Sequence, residues 1–137
     1  MKKSIAILIV IAISCALFTA CAEDITTTDI NGETLSVPNN ESVVWATGDF
    51  VVSEKHVGIY SGSNSAVYRN AFYVVFRNDD CVFGANVNEE TFISIQQDEI
   101  ISGTIYYENK GMPGEPYRFV SADEKLDFHI NECKKNR

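Results

Sequence analysis

Histidine is nearly absent: His56 and His129 are the only two in 137 residues. Neither lies near a nucleophile-elbow motif, so a Ser/His/Asp hydrolase has no recognisable base beside a nucleophile. Two scattered histidines and two available thiols make no zinc-ligand spacing. No glycine-rich phosphate loop and no dinucleotide-binding pattern occurs. Asp79-Asp80 is not followed by the spacing of an EF-type calcium loop. No metal or cofactor is therefore expected. Basic residues are also scarce, 11 against 19 acidic, for a net charge of −8. That balance argues against nucleic acid and anionic lipid headgroups as partners, since both are polyanions. Long helical periodicity is missing as well, and only one long apolar run is present.

That run is Ile5 to Ala20, preceded by Lys2 and Lys3. It falls short of the roughly 20 residues a spanning helix needs, so the expected reading is a cleavable secretion signal. Two cleavage sites compete. Leu17-Phe18-Thr19-Ala20-Cys21 resembles a bacterial lipoprotein box, which ends residues 1–20 as signal and makes Cys21 the lipid-bearing first residue. Ala20-Cys21-Ala22 is alternatively a small-x-small site with cleavage after Ala22. A lipid at Cys21 would hold the protein at a membrane surface. Residues 21–28 are then a polar tether, and 29–137 a single β-rich domain outside the cytoplasm.

Removing residues 1–20 takes away two lysines and no acids, which leaves nine basic and nineteen acidic residues, or −10. About 115 residues remain, enough for one domain with its own core. Seven of the eight phenylalanines, all six tyrosines and Trp45 lie in this part, an aromatic density foreign to disordered chains.

Asn31-Gly32 predicts a hairpin between Thr26-Thr27-Thr28 and Thr34 to Val37. Val43 to Ala46 and Phe50 to Val52 read as two strands broken at Thr47-Gly48-Asp49, with Gly48 suited to a bulge. Val57 to Tyr60 continues the β character before a Ser/Gly/Asn loop from Ser61. Ala71 to Phe76 predicts a central strand paired with Cys81 to Val87 across Asn78-Asp79-Asp80. Asn88 can cap one helical turn. Ile100 to Tyr107 is a further strand with Gly103 as a bend, followed by the Asn109–Pro116 loop. Tyr117 to Val120 and Leu126 to Ile130 close the domain. The expected fold is all-β: a small barrel, OB-like or SH3-like, or a compact sandwich of short antiparallel strands.

With Cys15 in the signal and Cys21 lipidated or removed, Cys81 and Cys133 form an even pair. In an oxidising compartment such a pair reads as one disulfide. It would close a 52-residue loop (133 minus 81), a constraint of about 4 kcal/mol in the loop-entropy account. Asn40-Glu41-Ser42 is a formal glycosylation sequon at Asn40. Asp79-Asp80, Glu89-Glu90 and Asp98-Glu99 are adjacent carboxylates at expected turns, where neighbours point apart. Tyr60, Tyr68 and Tyr117 lie in or beside expected loops and make a candidate binding face for a protein or carbohydrate.

Several of these segments occur in an ordered pattern. Phe50-Val51-Val52-Ser53-Glu54-Lys55, the Ser/Gly/Asn loop, Phe72-Tyr73-Val74-Val75-Phe76, Thr91-Phe92, Asp98 and Gly103-Thr104-Ile105 follow one another. Over residues 48 to 107 the chain resembles a family of uncharacterised small β-barrel domains in bacterial and archaeal envelope proteins. Gln97 stands where that pattern has glycine before the aspartate. The resemblance implies a fold and a location, and no activity. The functional expectation is an exported or surface-anchored noncatalytic binding module. The alternatives are a small envelope hydrolase using carboxylates brought together by the fold, or an enzyme inhibitor presenting the Asn109–Pro116 loop.

Overall fold

Alternation of apolar and polar residues gives most strands a buried and an exposed side. On the strand Cys81–Val87, for example, Cys81, Phe83 and Ala85 are buried and Asn86 is exposed. The computed structural model describes residues 23–61, 68–110 and 116–136. The expected signal segment, Cys21 and most of the Asn109–Pro116 loop lie outside the described residues.

The elements are β1 (Ile25–Thr28), β2 (Thr34–Val37), β3 (Ser42–Ser61), β4 (Tyr68–Arg77), β5 (Cys81–Val87), α1 (Glu89–Ser94), β6 (Ile100–Glu108), β7 (Tyr117–Ser121), β8 (Asp127–His129) and β9 (Glu132–Lys135). β1 and β2 form a hairpin of their own. The other seven strands form one antiparallel sheet in the order β8-β7-β6-β3-β4-β5-β9. Over the described residues the fold is all-β with one short helix, as the sequence predicts.

The sheet rolls on itself without closing its ladder. Its two edges, β8 and β9, are consecutive in the chain with only Ile130 and Asn131 between them. The three steps from His129 to Glu132 span at most about 11 Å, which keeps these two strand ends close. The Ile130 amide donates to the Tyr117 carbonyl on one side (2.9 Å), and the Asn131 amide donates to the Gly84 carbonyl on the other (2.9 Å). Chain continuity and these two bonds hold the roll together. The compact all-β fold expected from the sequence thus takes the form of an open roll, without a closed barrel.

Inside the roll, Phe50, Phe76, Phe83 and Phe119 are fully buried. Phe76 stacks on Phe83 with centroids 4.8 Å apart, and Phe50 meets Phe83 edge-on at 5.1 Å. One end of this core is closed by Trp45, Tyr107 and Tyr117. Trp45 sits at a bulge between Val44 and Ala46, and its indole Nε1 donates to the Thr28 carbonyl (3.0 Å), which ties β1 to the sheet. The stretch expected as a tether thus contributes β1 from Ile25 onward.

β3 also departs from expectation. It is one strand of 20 residues, and its bulges fall at Trp45 and Ser53 rather than at Gly48. Gly48 and Gly103 face each other in regular register. The polar residues that suggested a break point outward and pair across strands: Ser102 Oγ donates to the Asp49 carboxylate, and the Thr47 and Thr104 hydroxyls lie 3.3 Å apart. Gly103 is not a bend. A Cβ there would lie 2.4 Å from the Phe119 ring, so the glycine makes room for the core.

Candidate functional site

Past Val51, β3 leaves β6 and pairs only with β4, and β4 pairs with β5 only from Phe72 on. Residues 58–61 and 68–71 therefore form a two-stranded ribbon beyond the seven-stranded body. The Ser53 bulge turns β3 into this ribbon, and strand bulges do raise local twist. Lys55 then faces the same side as buried Val74, its ladder partner. Its ammonium lies over the Phe92 ring at 4.2 Å and donates to the Ile95 carbonyl at 2.5 Å. A lysine at a helix C-terminus satisfies carbonyls that lack helical donors. At the other end, Asn88 Oδ1 accepts from the Thr91 amide (2.8 Å), and Glu89 and Glu90 occupy the first turn. α1 is held at both ends.

Opposite α1 stands the β7–β8 turn. The Ser121 hydroxyl donates to Asp123 Oδ1 (2.6 Å) and accepts from the Leu126 amide (2.9 Å), and the Lys125 amide donates to the same Asp123 oxygen (3.1 Å). These bonds hold the Asp123 carboxyl below the usual carboxylate range, with the Ser121 hydroxyl the largest contributor. Between helix and turn lies a cleft of about 630 Å³. Ile95, Ile101 and Leu126 form its floor. Glu90, Glu99, Asp123 and Lys125 stand on its rim with Thr91 and Ser94. Glu99 Oε2 accepts from the Gln96 amide (2.9 Å), which fixes its orientation. Seven of the ten lining residues are polar or charged, so the recess sets oriented polar groups around a floor of three aliphatic side chains.

A smaller groove of about 290 Å³ crosses the outer face of β3, β4, β5 and β9. Glu54 and His56 are 3.9 Å apart there, and the Tyr73 hydroxyl donates to Glu132 (3.3 Å). His129 sits opposite Arg118 on the β7–β8 ladder and is exposed. Arg118 grips Asp127 through Nε and Nη2 and reaches the buried Glu108 at 3.2 Å. Among the described residues no group of three His, Cys, Asp or Glu is placed to share a metal ion.

The three expected tyrosines do not make one face. Tyr60 and Tyr68 belong to the ribbon, in the ladder pairs Tyr60↔Arg69 and Ser61↔Tyr68. Tyr117 lies at the far end of the roll: its partner Tyr107 pairs with Val43, at the start of β3. Tyr117 is half-buried, edge-on to Trp45 and Tyr107 at 5.3 Å each. Burial, then Cys133 and Tyr107, raise its hydroxyl pKa. Asn40 is exposed, with left-handed backbone (φ 63°) in the turn before β3.

Cys81 and Cys133 are free thiols in the structure. They lie on neighbouring strands and face the same side, but diagonally: Cys81 is opposite Lys135, and Cys133 is opposite Phe83. Diagonal neighbours have Cα atoms about 7–8 Å apart, beyond the usual bridging range of about 4.4–6.8 Å. Burial pushes the Cys81 thiol up to about 11, helped by Asp80, and the Cys133 thiol up to about 12, helped by Cys81.

The cleft was not visible in the sequence. Glu90 and Glu99 read as solvated turns, and residues 123–125 as nothing more than a link between closing strands. Their convergence depends on the helix, on β6 and on the β7–β8 turn meeting at one end of the roll. Comparison with protein-family models, curated proteins and solved structures finds no match.

Proposed function

We propose that this chain is an exported, noncatalytic binding module that works through the cleft between α1 and the β7–β8 turn. The cleft carries the reading: its apolar floor, oriented rim charges and two pinned walls form a preorganised recess. The lipoprotein-type signal and the resemblance to envelope β-domains support a place outside the cytoplasm. In an oxidising compartment Cys81 and Cys133 are the pair proposed to join, which their diagonal placement allows only with local backbone movement. Intact mass of the native protein reads lipid at Cys21, the loss of two hydrogens and any glycan at Asn40 together.

The test of the binding reading is a variant that fills the recess. Ser94 is exposed on α1 and lines the cleft. Ser94→Trp is expected to abolish capture of the envelope protein or glycan retained by the wild-type chain, with the urea midpoint unchanged. An identical set of retained molecules contradicts the reading.

One observation favours hydrolysis as a second reading: carboxylates from α1 (Glu90), the turn before β6 (Glu99) and the β7–β8 turn (Asp123) line one recess. Asp123, with its lowered pKa, does not suit a proton donor. Turnover of a chromogenic glycoside, lost in Glu99→Gln, would establish this alternative.

A further inference from the structure

The occupant of the cleft can be read from its charge and its surroundings. The rim carries three carboxylates, Glu90, Glu99 and Asp123, against one ammonium, Lys125. Asp123 is held ionised by the Ser121 hydroxyl and the Lys125 amide, and Glu99 is oriented by the Gln96 amide. The rim is thus a fixed negative field above an aliphatic floor.

Ile93 and Ile100 are 69% and 70% exposed, but neither lines the cleft. Successive strand side chains point to opposite faces, so Ile100 turns away from the side on which Ile101 forms the floor. The remainder of the domain is acidic as well, so long-range steering favours a cation.

We propose that the cleft binds a basic segment of a partner protein, with an aliphatic side chain seated on Ile95, Ile101 and Leu126 and flanking Lys or Arg side chains on Glu90, Glu99 and Asp123. This rests on the cleft being the binding surface and adds the chemistry of what it binds. Aliphatic burial supplies most of the affinity, and the rim charges supply orientation and selection. Exposed rim pairs are individually weak, so the discrimination comes from several acting together.

The experiment is a fluorescence-anisotropy titration of the full chain with three labelled peptides: Lys-Leu-Lys-Leu-Lys, Glu-Leu-Glu-Leu-Glu and Lys-Ser-Lys-Ser-Lys. The Lys-Leu peptide is expected to bind at least roughly tenfold tighter than either control at low salt. Glu90→Gln with Glu99→Gln should reduce that affinity roughly three- to tenfold and flatten its salt dependence. Ile93→Ser with Ile100→Ser, outside the lining, should leave it unchanged, whereas Ser94→Trp, which fills the recess, should abolish it. All four side chains are at the surface, so the fold is expected to persist, checked by the urea midpoint. Preference for Glu-Leu, or equal binding of Lys-Leu and Lys-Ser, overturns the proposed occupant. If Ser94→Trp still abolishes capture of a native ligand, the binding reading survives that failure. If no peptide binds and Ser94→Trp changes nothing, both fall.

Discussion

Gly103→Ala puts one methyl group where the roll has no space. A Cβ at Gly103 would lie 2.4 and 2.5 Å from two Phe119 ring carbons and 2.7 Å from the Val120 carbonyl oxygen. Phe119 is fully buried, with Phe50, Phe76, Phe83 and Phe128 around it at centroid distances of 5.8, 5.5, 5.2 and 5.4 Å. The ring has nowhere to move, and the carbonyl belongs to the β6–β7 ladder. Overpacking of this kind costs about 1–3 kcal/mol, and contact with backbone places it near the upper end. For a domain of this size that lowers Tm by roughly 10 °C. Gly84→Ala is the control. Its Cβ would lie even closer to Tyr73, 2.1 Å from the hydroxyl, but Tyr73 is a half-exposed side chain on the outer face and can swing into solvent. That change should cost about 1 kcal/mol or less. Urea unfolding followed by fluorescence of Trp45, the only tryptophan and 6% exposed, measures both. Phe119→Leu should relieve the crowding, so Gly103→Ala/Phe119→Leu falls short of the summed single effects by about 1 kcal/mol or more. Gly103→Ala within about 0.5 kcal/mol of wild type, or milder than Gly84→Ala, would refute the register that sets Ile101 and Ser121 into the cleft.

Three further outcomes are expected. Glu124 is exposed with φ 61°, a conformation that costs a non-glycine residue about 1–2 kcal/mol; Glu124→Gly should raise stability by roughly 0.5–1 kcal/mol after glycine's own entropy cost, measured by urea midpoint. Asp127 is held below the usual carboxylate range, first by hydrogen bonds from Arg118. Its contribution to stability is present above the unfolded pKa near 4 and is lost as pH falls through the lowered folded value; acid titration of the unfolding midpoint should show that loss, and Asp127→Asn should remove part of the slope. The thiols of buried Cys81 and half-buried Cys133, raised to about 11 and about 12, should stay protonated at pH 8 in the reduced protein; alkylation should be slow when native and reach both thiols in urea, and fast native labelling of Cys81 would contradict its burial.

Local pattern made much of this fold legible. Ala71 to Phe76 and Cys81 to Val87 announce a central hairpin, and Asn78 closes it as expected, its side chain accepting from the Asp80 and Cys81 amides at 2.9 Å. Asn31-Gly32 marks the β1–β2 turn, with Gly32 at φ 85°. Asn88 caps α1. Failures arose where tertiary neighbours decide. Thr47-Gly48-Asp49 looks like a break because its polar residues carry no trace of the partners, Thr104 and Ser102, that accept them on the outer face. Glu-Cys-Lys-Lys has no strand pattern and becomes β9 only because β5 offers an edge at the seam of the roll. Tyr117 reads as a loop-side tyrosine, yet the end of the core draws it against Trp45. The cleft draws on residues from 90 to 126, and nothing local in those segments signals that they meet.

The most direct test is an amide chemical-shift titration of the full chain with the Lys-Leu-Lys-Leu-Lys peptide. Saturable shifts should concentrate on residues 90–95, 99–101 and 121–126, the helix, floor and turn of the cleft. Shifts confined to the outer-face groove around Tyr73 and Glu132, or an unchanged spectrum at saturating peptide, would contradict the assignment of this cleft as the basic-segment site.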